Sequence, residues 1–254
     1  MIARDTVQVV VLAAGLGSRL GRPLPKCLTR LRDGRTILER QVSAVRASLG
    51  PDVPITVVVG FMAESLMAAA PPGVGFVRND DFAVTNTAKS LLAALTQIPD
   101  GGVLWLNGDV VFDSAVLDPG RQQMHDQQTL VWVNTEAVAE EEVKYTLDAD
   151  GFIRELSKTV VGGLGEAVGI NFVGAADRPV LCQHLRDCGP QDYFERGLEL
   201  AIAESGMQVR ALDISGLLAV EIDNEEDLAR VNVELAKGVI QPEGSGPTRV
   251  SAGG

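Results

Sequence analysis

An unbroken apolar run, Val9–Ala13, gives way abruptly to Ala14-Gly15-Leu16-Gly17-Ser18-Arg19. Nothing in the run alternates, so it predicts a strand covered on both faces, as at the centre of a parallel sheet. Two glycines at alternate positions let the backbone turn tightly and bare its N–H groups, an arrangement suited to a phosphate chain. Arg19 and Lys26 follow as two cations, separated by a segment that Pro23 and Pro25 brace. The stretch reads as a grip on a nucleoside triphosphate. The bland alternative is a glycine-rich turn flanked by surface basic residues.

Two other phosphate-binding patterns fail here. A dinucleotide fold requires G-x-G-x-x-G opening directly into a helix, but Leu20 takes the third glycine's place and prolines follow. The G-K-[ST] of a Walker loop is absent as well.

The chain of 254 residues, 46% hydrophobic, can bury a large core and fits one α/β domain. No run reaches the roughly 18 apolar residues of a membrane span, and no apolar secretory segment precedes the first strand, so no membrane partner and a cytoplasmic location are expected. Three cysteines, Cys27, Cys182 and Cys188, lie at no metal-like spacing and suggest reduced thiols. A net charge of −12 disfavours a nucleic-acid surface. Yet residues 1–46 hold nine Lys and Arg against three acids, so positive charge gathers around the glycine turn. For Arg40 and Arg46 an exposed helix face is the better explanation of the charge.

Along the chain, Thr36-Ile37-Leu38-Glu39 is a capping box opening a helix to about Leu49, with Leu38, Val42, Val45 and Leu49 as its buried stripe. Strands are predicted at 55–59, 74–77 and 103–106, with helices between them, implying right-handed crossovers and a largely parallel sheet. Strand four runs into Asn107-Gly108-Asp109. A carboxylate just beyond the carboxyl end of a central strand lies where open α/β sheets bind ligands, and Mg²⁺ takes one or two such carboxylates with phosphate oxygens. Asp109 is therefore a candidate metal ligand, a plain turn aspartate being the alternative. Asn86 or Thr85 can cap the helix that carries Lys89 one turn in, where a cation hints at a phosphorylated ligand or is merely solvated.

The second half loses the βαβ rhythm: 144–147 and 152–156 flank Asp148-Ala149-Asp150-Gly151 as an antiparallel hairpin, followed by Lys158. A small antiparallel, acceptor-side subdomain is expected over about 129–175, inside one domain of residues 1–238. Asp223 and Asn224 precede a run of acids that suits a helix cap. Residues 239–254, rich in Pro, Gly and Ser, read as a disordered tail.

Leu12–Arg19 with Pro25-Lys26 resembles the signature L-A-A-G-x-G-x-R…P-K of nucleotidyltransferases that activate phosphorylated small molecules. Thr85–Leu91, Glu166–Ile170 and Glu221-Ile222-Asp223 make the resemblance best to the phosphocholine, phosphonate and inositol-phosphate cytidylyltransferases, over most of residues 6–235. The resemblance implies a Rossmann-like, mostly parallel sheet with flanking helices. It implies Arg19 and Lys26 as catalytic cations, and nucleotide contacts from Leu12, Ala13, Ala14, Gly15, Gly17, Ser18, Asn79 and Asn107. It further implies acceptor contacts from Asn86, Lys89, Lys158 and Glu166, and Mg²⁺ held jointly by Asp109 and Asp223. A departure stands out: Asn107-Gly108-Asp109 replaces the Asp-x-Asp often found there.

The expected reaction is magnesium-dependent transfer of CMP from CTP to a small phosphorylated alcohol or phosphonate, with release of pyrophosphate. Alternatives are a sugar-1-phosphate nucleotidyltransferase using UTP or GTP, and a non-catalytic nucleotide-binding regulator; the acceptor is left open between a cationic head group and a polyol. A homo-oligomer is one option for its assembly.

Overall fold

The computed structural model describes residues 7–17, 21, 24–136 and 142–237. At its centre is a mixed sheet. Strand β1 (Gln8–Ala13) pairs in parallel with β2 (Ile55–Val59) on one side and with β4 (Val103–Asn107) on the other; β3 (Gly75–Arg78) lies beyond β2. The long β9 (Glu166–Val173) runs antiparallel between β4 and β6 (Leu130–Asn134), and β10 (Arg210–Asp213) closes that edge beside β6. The predicted hairpin forms as β7 (Lys144–Leu147) and β8 (Ile153–Ser157), and joins β9 where Lys144 faces Glu166. The antiparallel portion is thus continuous with the main sheet. A separate two-stranded sheet pairs β5 (Val110–Phe112) with β11 (Ala219–Glu221).

The absence of alternation in β1 has its reason in the two cores. Val9, Val11 and Ala13 pack with Leu38, Val42 and Val45 of helix α1 (Ile37–Leu49). Val10 and Leu12 face the opposite layer, built on Leu91 and Leu95 of α3 (Thr87–Gln97), Leu181 and Leu185 of α5 (Arg178–Asp187) and Leu198 of α6 (Phe194–Ser205). All six residues of β1 are buried. Burying each such side chain contributes about 1.5–3 kcal/mol relative to exposure, before ordering costs. Two shorter helices, α2 (Ala63–Ala69) and α4 (Arg121–His125), complete the layers. The Thr36–Glu39 capping box is formed in full and fixes the start of α1.

From β1 the chain runs outward through β2 and β3, then returns across to β4 on β1's other side. The reversal opens a crevice between the carboxyl ends of β1 and β4, the place where open α/β sheets bind ligands. A third apolar cluster, with Ile37, Val111, Val220, Ile222 and Leu228, packs the β5–β11 pair against α7 (Glu225–Ala236) beside that crevice. Among the described residues no helix is long and apolar enough to cross a membrane. Cys27, Cys182 and Cys188 are all free and buried. The tail from 239 lies outside the described residues.

Candidate active site

The crevice holds a cleft of ≈ 450 Å³. Its floor is the glycine turn. Gly17 adopts φ +59°, and a Cβ there would stand 2.8 Å from Cγ of Lys26, so the lysine stem lies directly on the glycine. Lys26 leaves a 3₁₀ turn, Lys26–Leu28, that begins immediately after Pro25.

Asp109 arrives from the opposite side, in the turn linking β4 to β5. Three contacts hold that turn: Gly108 N–H donates to Leu12 O at 2.9 Å, and the buried Gln41 amide donates to Asn107 O at 2.7 Å and to Val110 O at 2.8 Å. A Cβ on Gly108 would fall 2.6 Å from Leu12 O, so only glycine fits this approach to β1. Asp223 follows β11, whose register with β5 and an Ile222 N–H···O Asp109 bond of 3.0 Å place the two aspartates side by side. Asn224 then caps α7 with a capping box closed by Asp227. The helix-cap reading of this segment and the site reading are both realised, on adjacent residues.

The two carboxylates converge on one ammonium. Lys26 Nζ donates to Asp109 Oδ2 at 3.1 Å and also to Asp223 Oδ1. Burial alone would lower the lysine's pKa, but Asp109 and Asp223 outweigh it and raise it above the ordinary value. Beside them Glu221 accepts from Asn107 Nδ2 at 2.9 Å. Burial, reinforced by the charge of Asp109, pushes its carboxyl up to about 8. Cys27, next in sequence to the lysine, is pushed up to about 12 by burial and stays a thiol, a packing residue.

The far end of the cleft is built on α6. Phe194 is buried edge-on against Trp105 of β4, ring centroids 5.5 Å apart, and its N–H is received by Thr87 Oγ1 at 3.0 Å. This anchor, worth about 0.5–1.5 kcal/mol for the aromatic pair, sets the neighbouring Tyr193 and Glu195 into the cleft wall. Lys158 Nζ stands 5.5 Å from the centre of the Tyr193 ring, within cation–π range.

Leu12, Ala13, Gly15, Gly17, Asn107, Asn86, Lys158, Lys26, Asp109 and Asp223 all line this one cleft. Four expected residues do not. Ala14 is buried, its carbonyl accepting from Phe61 N–H at 3.0 Å. Asn79 is internal, donating to Thr85 Oγ1 at 3.1 Å and Ser90 Oγ at 3.0 Å, and so shapes the loop before α3. Lys89 points at the end of α5, giving its ammonium to the carbonyls of Leu185, Arg186 and Cys188 at 3.0, 3.0 and 2.6 Å. All three of its donors are used there. Glu166 sits on β9 one residue out of phase: Ala167 and Gly169 line the cleft, and strand alternation turns Glu166 the other way. Ser18 and Arg19 lie outside the described residues. Arg40 is not on an exposed helix face: its side chain is buried and bound to Asp33 at 3.0 Å. Arg46 donates to Pro72 O at 2.8 Å.

Gln41, Tyr193 and Glu195 carried no legible signal, and Glu221 entered only as a member of the Glu221-Ile222-Asp223 stretch; tertiary packing brings all four to the site.

The charge balance bears on the metal. Among the described residues the cleft is lined by Asp109, Asp223, Glu221, Glu142 and Glu195 against two lysines. Among the described residues the ionised carboxylates outnumber the lysines, and a cation arriving with a polyphosphate would offset that excess. No group of three or more metal-ligating side chains forms a ready-made site among the described residues. Two adjacent carboxylates, with phosphate oxygens completing the shell, suit Mg²⁺ by number and by hardness, so the residues fit that ion.

Fold and site together define a nucleotidyltransferase domain. The chain belongs to the family described as the MobA-like NTP transferase domain, whose model matches residues 9–196. It is similar to a CMP-5'-(3-aminopropyl)phosphonate synthase of Streptomyces rubellomurinus, 29% identical over 241 residues, covering 87% of this chain and 37% of that protein. It is also similar to a bifunctional IPC transferase and DIPP synthase of Rubrobacter xylanophilus, 30% identical over 96% of this chain and 55% of that protein. The chain therefore spans only 37% and 55% of these two relatives' lengths. In fold it matches the CTP:phosphocholine cytidylyltransferase of Streptococcus pneumoniae, with TM-score 0.72, 19% identity and coverage of 91% and 99% of the two chains. The inositol-1-phosphate CTP transferase of T. maritima matches with TM-score 0.75, 18% identity and coverage of 92% and 96%.

Proposed function

We propose that this domain transfers a nucleoside monophosphate, CMP from CTP, to a small phosphorylated alcohol or phosphonate. An oxygen of the acceptor's phosphorus group attacks the α-phosphorus; the α–β bridging bond breaks and pyrophosphate leaves with its electron pair. The nucleophile is already ionised near neutral pH, so no general base is required. What must be overcome is repulsion between two anions and their misalignment, which positioning and electrostatic stabilisation address. The observation that carries the reading is the Lys26 ammonium, seated on the glycine turn and shared by Asp109 and Asp223.

The glycine-turn amides would hold the triphosphate, and Lys26 would offset charge developing on the leaving pyrophosphate. Asp109 and Asp223 would hold Mg²⁺, which when bound supplies neutralisation and orientation of phosphate oxygens. Lys158, across the cleft, would attract the acceptor's anionic group. Choice of the cytosine nucleotide rests on similarity to enzymes whose names specify CMP or CTP.

Pyrophosphate release, measured with each of four nucleoside triphosphates against phosphocholine, 2-aminoethylphosphonate, inositol-1-phosphate and glucose-1-phosphate, with and without Mg²⁺, tests the reading. Release with CTP and Mg²⁺ is expected. Release with UTP or GTP and the hexose phosphate alone would make this a sugar nucleotidyltransferase. Nucleotide binding without release under any condition would make it a regulator.

A further inference from the structure

A second cavity, of ≈ 380 Å³, lies away from the active cleft and shares no lining residue with it. It is walled by Thr129 just before β6, Arg210 opening β10 and Asp177 at the start of α5. Strands β4 and β6 are both antiparallel to β9, and β10 is parallel to β6, so all three point the same way. The amino ends of β6 and β10 therefore lie at the edge of the sheet opposite the carboxyl ends that hold the active cleft. The volume falls in the range of small-molecule sites.

This cavity holds one charge of each sign, and the two are not spent on each other. Arg210 lays its guanidinium over the Phe152 ring, 4.5 Å from the centroid, and makes no ion pair among the described residues. Stacking occupies the face of the guanidinium and leaves its in-plane N–H fork, which matches a carboxylate, for a partner. Asp177 stands at the N-cap of α5 but makes no side-chain cap bond to the helix. Its Oδ2 accepts instead from Thr129 Oγ1 at 2.5 Å, and Thr129, itself buried, accepts from Gly174 N–H at 3.2 Å. The carboxylate is thus held in place, while its Oδ1 takes no donor among the described residues. Between the two charges the wall is apolar, formed by the half-buried Phe152 and Val180 and the buried Met207.

A simple anion would be drawn to Arg210 and opposed by Asp177, and a simple cation would meet the reverse. A neutral ligand would leave both charges unmatched. A molecule carrying a carboxylate and an ammonium on one carbon answers both, and the apolar wall receives what else that carbon bears. We propose that this cavity binds a free α-amino acid with an apolar side chain, its carboxylate on Arg210 and its ammonium on Asp177. The site is independent of the nucleotidyl-transfer reading.

Calorimetric titration of the full chain with L-valine, L-leucine, L-methionine and L-phenylalanine tests this. At least one should bind with a Kd of about 1 mM or tighter. Its N-acetyl derivative, which lacks the ammonium, and its amide, which lacks the carboxylate, should each bind at least about tenfold more weakly, some 1.4 kcal/mol. Arg210→Gln and Asp177→Asn should each weaken the amino acid by a similar factor. Arg210 is exposed, so its replacement should leave the fold intact, and that variant decides if Asp177→Asn fails to fold. No binding by any of the four, equal binding of the N-acetyl or amide form, or wild-type affinity in folded Arg210→Gln would overturn the proposal.

Discussion

Asp109 and Asp223 share a single ammonium, that of Lys26, and are tied through the backbone by the Ile222 N–H···O Asp109 bond. The side chains at this junction are only 14–24% exposed, so the three charges interact with little screening. Removing Lys26 leaves two like charges facing each other, whereas removing either aspartate leaves a balanced pair.

Lys26→Ala should therefore act on both rate and stability. Turnover should fall by about 10²-fold or more, the scale of losing one electrostatic stabiliser. Melting should shift down as the two carboxylates face each other unneutralised. Adding Asp109→Asn should recover part of the melting temperature and none of the rate. A double variant with restored turnover would remove Lys26 from the chemistry.

Gly17→Ala meets two obstacles, a positive φ and the Lys26 stem at 2.8 Å. A loss of about 1 kcal/mol in stability is expected. A larger effect should appear in nucleotide KM, because relieving the contact moves the lysine. Steady-state kinetics against CTP at saturating acceptor would read it. An unchanged KM would mean that the turn does not set the lysine's place.

Gln41→Leu deletes the amide bridging Asn107 O and Val110 O, leaving buried carbonyls short of a donor at about 1–3 kcal/mol. Because those carbonyls flank Asp109, kcat should drop more than KM rises. A variant less stable but kinetically normal would confine Gln41 to scaffolding.

Lys89→Met separates the two readings of that residue. With its ammonium closing the last turn of α5, stability should fall by about 1–2 kcal/mol, as for a cation at a helix C-terminus. Acceptor KM should not move. A selective rise in that KM, at wild-type stability, would return Lys89 to the site.

Glu195 gives a pH signature. Its ordinary value is 4.5, and in the fold it rises to about 7 through burial, opposed by a hydrogen bond from its own backbone N–H and by Lys158, and aided by Glu142. Between these values the folded state holds the proton more tightly, so the stability this group contributes is complete below pH 4.5. It is lost as pH climbs through about 7. Glu195→Gln mimics the protonated form. Urea midpoints for variant and wild type should nearly coincide at pH 5 and separate by pH 8, the variant being the more stable. An equal gap at both pH values would refute the shift.

The central strand, the glycine turn, the α1 capping box and the carboxylate at the end of β4 were legible in the sequence because each is a local pattern. Two-sided burial suppresses alternation, a cap needs its residue three positions on, and a tight turn needs glycine. The pairing of Asp109 with Asp223 came from resemblance and not from spacing, and the β5–β11 register supplies its physical basis. What the sequence could not decide is where a side chain spends its hydrogen bonds. Lys89 in the first turn of α3 looks the same whether an anion or the end of α5 receives it, and Glu166 differs from Ala167 only by the phase of a strand. Gln41 and Glu195 sit in unremarked helical positions until packing brings α1 under the β4 turn and Phe194 against Trp105. Local chemistry is written in neighbours along the chain; the choice of partner across it belongs to the tertiary structure, since only packing sets which donors and acceptors come within reach.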